Sequence, residues 1–242
     1  DIPLIMDNTV ATAYLVKPLS LGADIVVNST SKYINANSSA ISGVITDGGK
    51  FKWDTEKYPG MKDFKKFGPF AYTAKLRNGL FRNTGACLSP QNAFYNSIGM
   101  ETLGLRMERV CDNAKTLAQF FATEYSDIEV NYPGLAGSKW HNIATEQFGD
   151  KFGGIITIRT GNKKRAFGII DALKLPLIVS NIGDTKTLVI HPESTLNVHS
   201  TQEEKETAGV FDDLIRISVG IEDIEDLIDD FKQAIESVKD VY

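Results

Sequence analysis

Short runs of β-branched and other apolar residues recur along the first part of the chain, separated by stretches of helix or loop length. Residues 3–7, 25–28 and 43–46 are three such runs. They are short enough for strands and continuous enough to be buried on both faces. That alternation predicts a parallel α/β sheet. Residues 48–70, rich in Gly, Lys, Pro and aromatics, predict a surface excursion with little regular structure. A helical stretch is expected over 69–80. Ser89-Pro90 reads as an N-cap followed by proline at the first helical position, opening a helix towards Thr102. From Leu105 a long amphipathic helix follows, with Val110, Ala114, Leu117, Ala118 and Phe121 on one face.

After Ser126 the pattern changes. Strands are expected at 128–132, 154–159 and 214–219, a turn at Tyr132-Pro133-Gly134, and a helix at 166–173. Segments 179–184 and 189–192 read as loop-rich, flanking an apolar stretch. The last helix carries the stripe Ile224, Leu227, Ile228, Phe231, Ile235 and Val238. This half predicts an α+β domain, an antiparallel sheet covered by helices. The boundary falls near Leu103, giving domains 1–103 and 104–242.

Composition narrows the function classes. A chain of 242 residues, 42% hydrophobic and 24% charged, is ordinary for a globular protein of one or two domains. A net charge of −5 argues against general attraction to nucleic acid or anionic membranes. Lys62, Lys65 and Lys66 are interrupted by Asp63 and read as a solvated face; Lys163-Lys164-Arg165 reads as a helix start. Cys87 and Cys111 give no disulfide framework, and His141, His191 and His199 no metal-ligand spacing. No run is long enough to span a membrane and no signal peptide is evident, so the reducing cytoplasm is the expected setting. The chain enters a predicted core strand almost at once, and a longer polypeptide is expected.

In open parallel sheets, ligands bind beyond the carboxyl ends of the strands. Two apolar runs end there in chemically useful residues. One ends in Asp7, expected to be buried, and the other in Ser29-Thr30-Ser31-Lys32. Pyridoxal 5′-phosphate (PLP) needs this combination. A lysine amine forms a Schiff base with its aldehyde, an aspartate keeps its pyridine nitrogen protonated, and hydroxyls with backbone amides hold its phosphate. The alternative is a solvated lysine and a turn-forming aspartate. Arg216, alone among the apolar residues of 214–219, would share a strand face with Leu214 and Ser218. An inward arginine needs an anion. Either a substrate carboxylate, gripped in a bidentate fork, or a nearby acid such as Asp212 would serve. His191 reads as a satisfied structural histidine.

Taken in order, several segments resemble the Cys/Met-metabolism PLP-dependent enzymes, the cystathionine γ-synthase group. They include Asp7-Asn8-Thr9, Ser29 through Tyr33, Leu88-Ser89-Pro90, Glu101-Thr102-Leu103, Tyr132-Pro133-Gly134-Leu135, Ser180 through Asp184, and Arg216 through Asp223. The resemblance covers essentially the whole chain. It implies the fold type I (aspartate aminotransferase-like) α/β architecture, with part of a large PLP-binding domain followed by a C-terminal α+β domain. Lys32 would be the Schiff-base lysine and proton shuttle, and Asp7 the partner of the pyridinium. Ser29 and Ser31 would bind the cofactor phosphate. Arg216 would bind the substrate α-carboxylate, helped by the backbone of Ser180 and Asn181. A homotetramer of two dimers is implied, with further site residues supplied by an N-terminal half. There are departures. Asn35-Ala36-Asn37-Ser38-Ser39 stands where the family has a Gly-rich stretch with a His. Extra residues near Leu196-Asn197-Val198 leave Thr195 as one candidate for a threonine that supports the arginine.

The insertion from Gly48 to Pro69 is similar to the O-acetylhomoserine sulfhydrylase branch, since lyases of the group are shorter there. The expected reaction is therefore γ-replacement, O-acetylhomoserine plus sulfide giving homocysteine and acetate. A methionine γ-lyase or cystathionine γ-synthase is the alternative. An inactive paralogue acting as a binding partner is a further one, against which the retention of Lys32, Asp7 and Arg216 argues.

Overall fold

In the computed structural model, which describes residues 1–238, β2 (Ile25–Ser29) is the middle strand of a three-stranded sheet. β1 (Ile5–Asp7) pairs with it in parallel, Ile5 opposite Ile25 and Asp7 opposite Val27. β3 (Gly43–Asp47) lies on the other side and runs antiparallel. β3 thus departs from the parallel alternation expected of these runs, while β1 and β2 keep to it. The connection, residues 30–42, is a run of turns without a crossover helix, so β3 returns in the opposite sense. Burial also departs from expectation. Ile25 and Val26 of β2 are buried, but Ile5 and Met6 are 53% and 41% exposed, and Val44 and Ile45 42% and 39%. Asp7 is exposed as well. β1 and β3 are edge strands with one partner each in this sheet, and apolar composition alone does not supply a covering layer.

These strands belong to the first of two units, Asp1–Glu101 and Thr102–Tyr242. A single turn, α1 (Thr12–Leu15), follows β1. The excursion after β3 is more regular than expected: 3-10 turns run over Pro59–Phe70, kinked at Gly68, where φ is +56°. Trp53 stacks on Tyr72 with ring centroids 5.6 Å apart, and Phe51 and Tyr58 meet Trp53 edge-on. α2 (Ala71–Lys75) continues through a π-turn into α3 (Arg82–Thr84). α4 (Pro90–Glu101) begins as the sequence suggests, Asn92 N donating to Ser89 Oγ at 3.1 Å.

The second unit begins with α5 (Leu103–Glu124) and β4 (Glu129–Asn131), then α6 (His141–Phe148) and β5 (Ile155–Arg159). Next come α7 (Lys163–Ala172), β6 (Leu177–Ile178) and β7 (Leu188–Ile190). α8 (Gln202–Thr207), β8 (Leu214–Ser218) and α9 (Ile224–Ser237) complete it. The sheet order is β4-β5-β8-β7-β6, antiparallel except for the β6–β7 pair. One face carries Ile156, Ile158, Val189, Ile215 and Ile217, all fully buried in a core shared with α5, α7 and α9. Each such side chain contributes roughly 1.5–3 kcal/mol by leaving water. Phe121 of α5 meets Phe231 of α9 edge-to-face at 5.2 Å, which explains why both stripes were strong periodic signals.

A half-buried ion triad ties three segments of this unit together. The Glu193 carboxylate receives Lys163 Nζ at 2.7 Å and Lys205 Nζ at 2.5 Å. Hydrogen bonding from Lys163 and then Lys205 holds its pKa down at about 2. A depressed carboxylate pKa means the stabilisation is fully present above the ordinary value of 4.5 and is lost as pH falls towards about 2. Thermal melting followed from pH 5 to pH 2 should therefore fall more steeply for the native protein than for Glu193→Gln; parallel curves would show the triad adds nothing.

Candidate active site

The parallel pairing of β1 and β2 brings two of the sequence candidates to one edge of one sheet. Asp7 ends β1, and Ser29 ends β2 just before Lys32. Thr9 joins them. Its hydroxyl accepts from Ser29 N at 2.8 Å, and its N–H donates to Asp7 Oδ1 at 2.9 Å. Thr9, through its hydroxyl first and its backbone N–H second, holds the Asp7 carboxyl below the usual range. An aspartate kept ionised is what a protonated ring nitrogen requires. Asn8 N donates to the Val27 carbonyl at 2.8 Å, locking the register at the point where the two chains diverge. The sequence marks Thr9 only as part of the segment Asp7-Asn8-Thr9; its bridging role becomes visible once the strands are paired.

Lys32 lies in the first turn after β2, half-buried, with its carbonyl accepting from Asn35 N at 3.1 Å. Ser31 is engaged locally: its hydroxyl donates to the Ser42 carbonyl at 3.1 Å and accepts from Ser42 N at 2.8 Å. A hydroxyl has one hydrogen, so Ser31 can donate to an anion only by releasing Ser42. Thr30, part of the motif before Lys32, hydrogen-bonds behind this turn with Ser42 and Asn96, two polar residues that sequence reasoning did not single out. The three are 12 to 66 residues apart in the chain, and no local pattern marks Ser42 or Asn96.

In the second unit, β8 alternates as expected. Ile215 and Ile217 face the core, and Leu214, Arg216 and Ser218 face the other way. Arg216 Nη2 donates to the Ser180 carbonyl at 3.0 Å and to the Asn181 carbonyl at 3.2 Å. Gly183 N donates to Ser218 Oγ at 3.0 Å, so the 180–183 loop is pinned to β8 at two points. Arg216, Ser180 and Asn181 thus come together. These neutral carbonyls orient the guanidinium and leave its charge intact. Thr195 donates its hydroxyl to the His191 carbonyl at 2.8 Å, closing the turn after β7. His191 is buried, its Nε2 2.7 Å from the Asp212 carbonyl and its Nδ1 2.9 Å from Ser194 Oγ. Nε2 therefore carries the proton and donates, which gives this histidine the structural role expected of it.

The sequence profile of the Cys/Met metabolism PLP-dependent enzymes matches residues 1–236. The chain belongs to this family. It is 41% identical to an O-acetyl-L-homoserine sulfhydrylase of Corynebacterium glutamicum over 96% of its own length and 56% of that protein. It is 39% identical to an L-methionine gamma-lyase of Fusobacterium nucleatum subsp. polymorphum over 97% of the chain and 54% of the relative. The chain thus spans little more than half the length of the curated relatives it matches. A Campylobacter jejuni protein assigned as an O-acetylhomoserine (thiol)-lyase, solved with N′-pyridoxyl-lysine-5′-monophosphate, superposes with a TM-score of 0.90. It is 35% identical, and the match covers 97% of this chain and 59% of that one. The fold is accordingly that of the fold type I PLP enzymes. The residues of the first unit fit the family's cofactor: an ionised aspartate, hydroxyls and a lysine at one sheet edge are a matched donor set for pyridine nitrogen, phosphate and aldehyde.

Proposed function

We propose that the protein catalyses PLP-dependent γ-replacement, converting O-acetylhomoserine and sulfide into homocysteine and acetate. The observation that carries the reading is the shared sheet edge of Asp7 and Ser29–Lys32, bridged by Thr9, in a chain of a PLP-dependent family. Residues 1–103 would be the C-terminal part of the PLP-binding large domain and 104–242 the small domain. Lys32 would hold the cofactor through its amine, and Asp7 would face the pyridine nitrogen. Ser29 would donate to the phosphate, and Ser31 would join it by exchanging the Ser42 carbonyl for a phosphate oxygen. Bound PLP supplies an electron sink for the charge left when the substrate loses its Cα proton. Lys32 takes that proton as general base and returns one later as general acid. Arg216 binds the α-carboxylate in a bidentate fork, oriented by the Ser180 and Asn181 carbonyls. A second proton leaves Cβ as the C–O bond at Cγ breaks and acetate departs; sulfide then forms the new C–S bond at Cγ, and Cβ and Cα each regain a proton. We further propose a homo-oligomer in the cytoplasm.

Sequence identity favours the sulfhydrylase branch only narrowly, 41% against 39% for the γ-lyase relative. A product assay separates the two. The intact protein, PLP, O-acetylhomoserine and sulfide are incubated and read by mass spectrometry. Homocysteine is the expected product. 2-Oxobutyrate and ammonia without homocysteine would move the protein to the γ-lyases. No turnover with no bound PLP would overturn catalysis altogether and favour a binding role.

A further inference from the structure

An asparagine near the middle of α4 is an expensive residue to bury, because an unsatisfied carboxamide loses its water without recompense. Asn96 is only 8% exposed, and its polar atoms are engaged. Nδ2 donates to Ser42 Oγ at 2.9 Å and to Thr30 Oγ1 at 3.3 Å, and Oδ1 accepts from Asn35 Nδ2 at 3.3 Å. Thr30 Oγ1 in turn donates to Ser42 Oγ at 2.6 Å. These partners bracket Lys32. Thr30 precedes it by two residues and Asn35 follows by three. Ser42 clasps the Ser31 hydroxyl with both its N–H and its carbonyl.

The segment so held needs holding. Ala36 and Ser38 have φ of +81° and +58°, left-handed conformations that L side chains adopt only where the surroundings over-determine them. Asn35 stands directly beside them. Its N–H donates to the Thr30 and Lys32 carbonyls at 3.0 and 3.1 Å, and its side-chain oxygen accepts from Ser39 N at 2.7 Å. One turn along α4 from Asn96 is Gly99. A Cβ there would collide with the Ile34 carbonyl and lie 2.8 Å from the Asn35 carbonyl group. The helix therefore grips the loop by close backbone approach at Gly99 and by hydrogen bonds at Asn96.

We propose that Asn96 is a positioning residue for Lys32: through Thr30, Ser42 and Asn35 its carboxamide sets how the Lys32 amine is presented. The proposal rests on the cofactor-holding role given to Lys32 above. Lys32 sits on a turn rather than within a strand or helix, so its placement is only as exact as the tethers on either side. Asn96→Leu keeps the volume and removes every tether; Asn96→Asp keeps the shape and removes both donors.

The test uses both variants of the intact PLP-loaded protein. It reads the pH midpoint of the visible absorbance of the bound cofactor, and kcat and KM separately. In the cofactor-free protein it reads the rate of reductive labelling at Lys32 by mass spectrometry. The midpoint should move by about half a pH unit or more. kcat should fall about tenfold while KM stays within about twofold. Labelling of Lys32 should change while Lys139, in the other unit, labels as in the native protein. Lower melting temperatures with unmoved midpoint, kcat and labelling would overturn the proposal and leave Asn96 a merely structural residue. If Asn96→Leu does not fold, Ser42→Ala removes the hub from the opposite side and the same readings apply. The two assignments fail differently. A visible band that survives Lys32→Ala overturns the role of Lys32 and this inference with it. A band that requires Lys32 but ignores Asn96 and Ser42 overturns this inference alone.

Discussion

Lys32→Ala should leave a folded protein that no longer holds PLP covalently and whose turnover drops by roughly 10⁴-fold, the upper range for removing a general acid–base group. Folding should survive because the turn keeps two backbone bonds of residue 32. Its carbonyl accepts from Asn35 N at 3.1 Å and Ala36 N at 3.3 Å, and alanine keeps both bonds. Borohydride reduction followed by peptide mass analysis checks the prediction. The native protein should carry a pyridoxyl mass on the peptide containing Lys32, and the variant should carry none. A pyridoxyl label on a different lysine of the variant, with turnover retained, would remove Lys32 from the mechanism.

Arg216→Ala should act on the other half of the reaction. The visible band of bound PLP should be unchanged, because every residue assigned to the cofactor lies in the first unit. KM for amino-acid substrates should rise by roughly 30- to 150-fold, equivalent to about 2–3 kcal/mol for a lost charge-assisted fork. Arg216→Lys keeps the charge without the planar fork and should recover only part of that loss. The 180–183 loop retains its bond from Gly183 N to Ser218 Oγ in both variants, so a collapse of the loop would not mimic the effect. Unchanged kinetics would mean that the substrate carboxylate is held elsewhere.

What could be read from the sequence was whatever obeyed a short-range rule. The apolar run ending in Ser29-Thr30-Ser31-Lys32 marked β2 and the turn that follows it. The stripes of α5 and α9 marked the core of the second unit, and Ser89-Pro90 marked the start of α4. Arg216 could be assigned a strand face from period two alone. What escaped depended on pairing or on distance along the chain. The antiparallel sense of β3 has no signature within residues 43–47. β7 is three residues long, and its neighbour His191-Pro192 made the segment look like a loop. α6 has few apolar positions, with Ala144 its only buried residue. Asp7 is exposed at the end of β1, which composition does not reveal. Thr9 and Asn96 act through partners 20 and 54 to 66 residues away, and only the folded chain brings those together.

The two faces of β8 have an evolutionary and practical consequence. Positions 215 and 217 belong to a closed apolar core, where changing even one methylene costs stability. Positions 214 and 216 lie on the reverse face, where Leu214 is buried and Arg216 half-buried against the 180–183 loop. With Arg216 in its proposed role, substrate preference should change by substitutions on one side of β8 while the melting point is set on the other. A mutant library restricted to 216 and residues 180–182 should yield mostly folded proteins of altered substrate preference. The same number of changes at 215 and 217 should yield mostly unfolded ones.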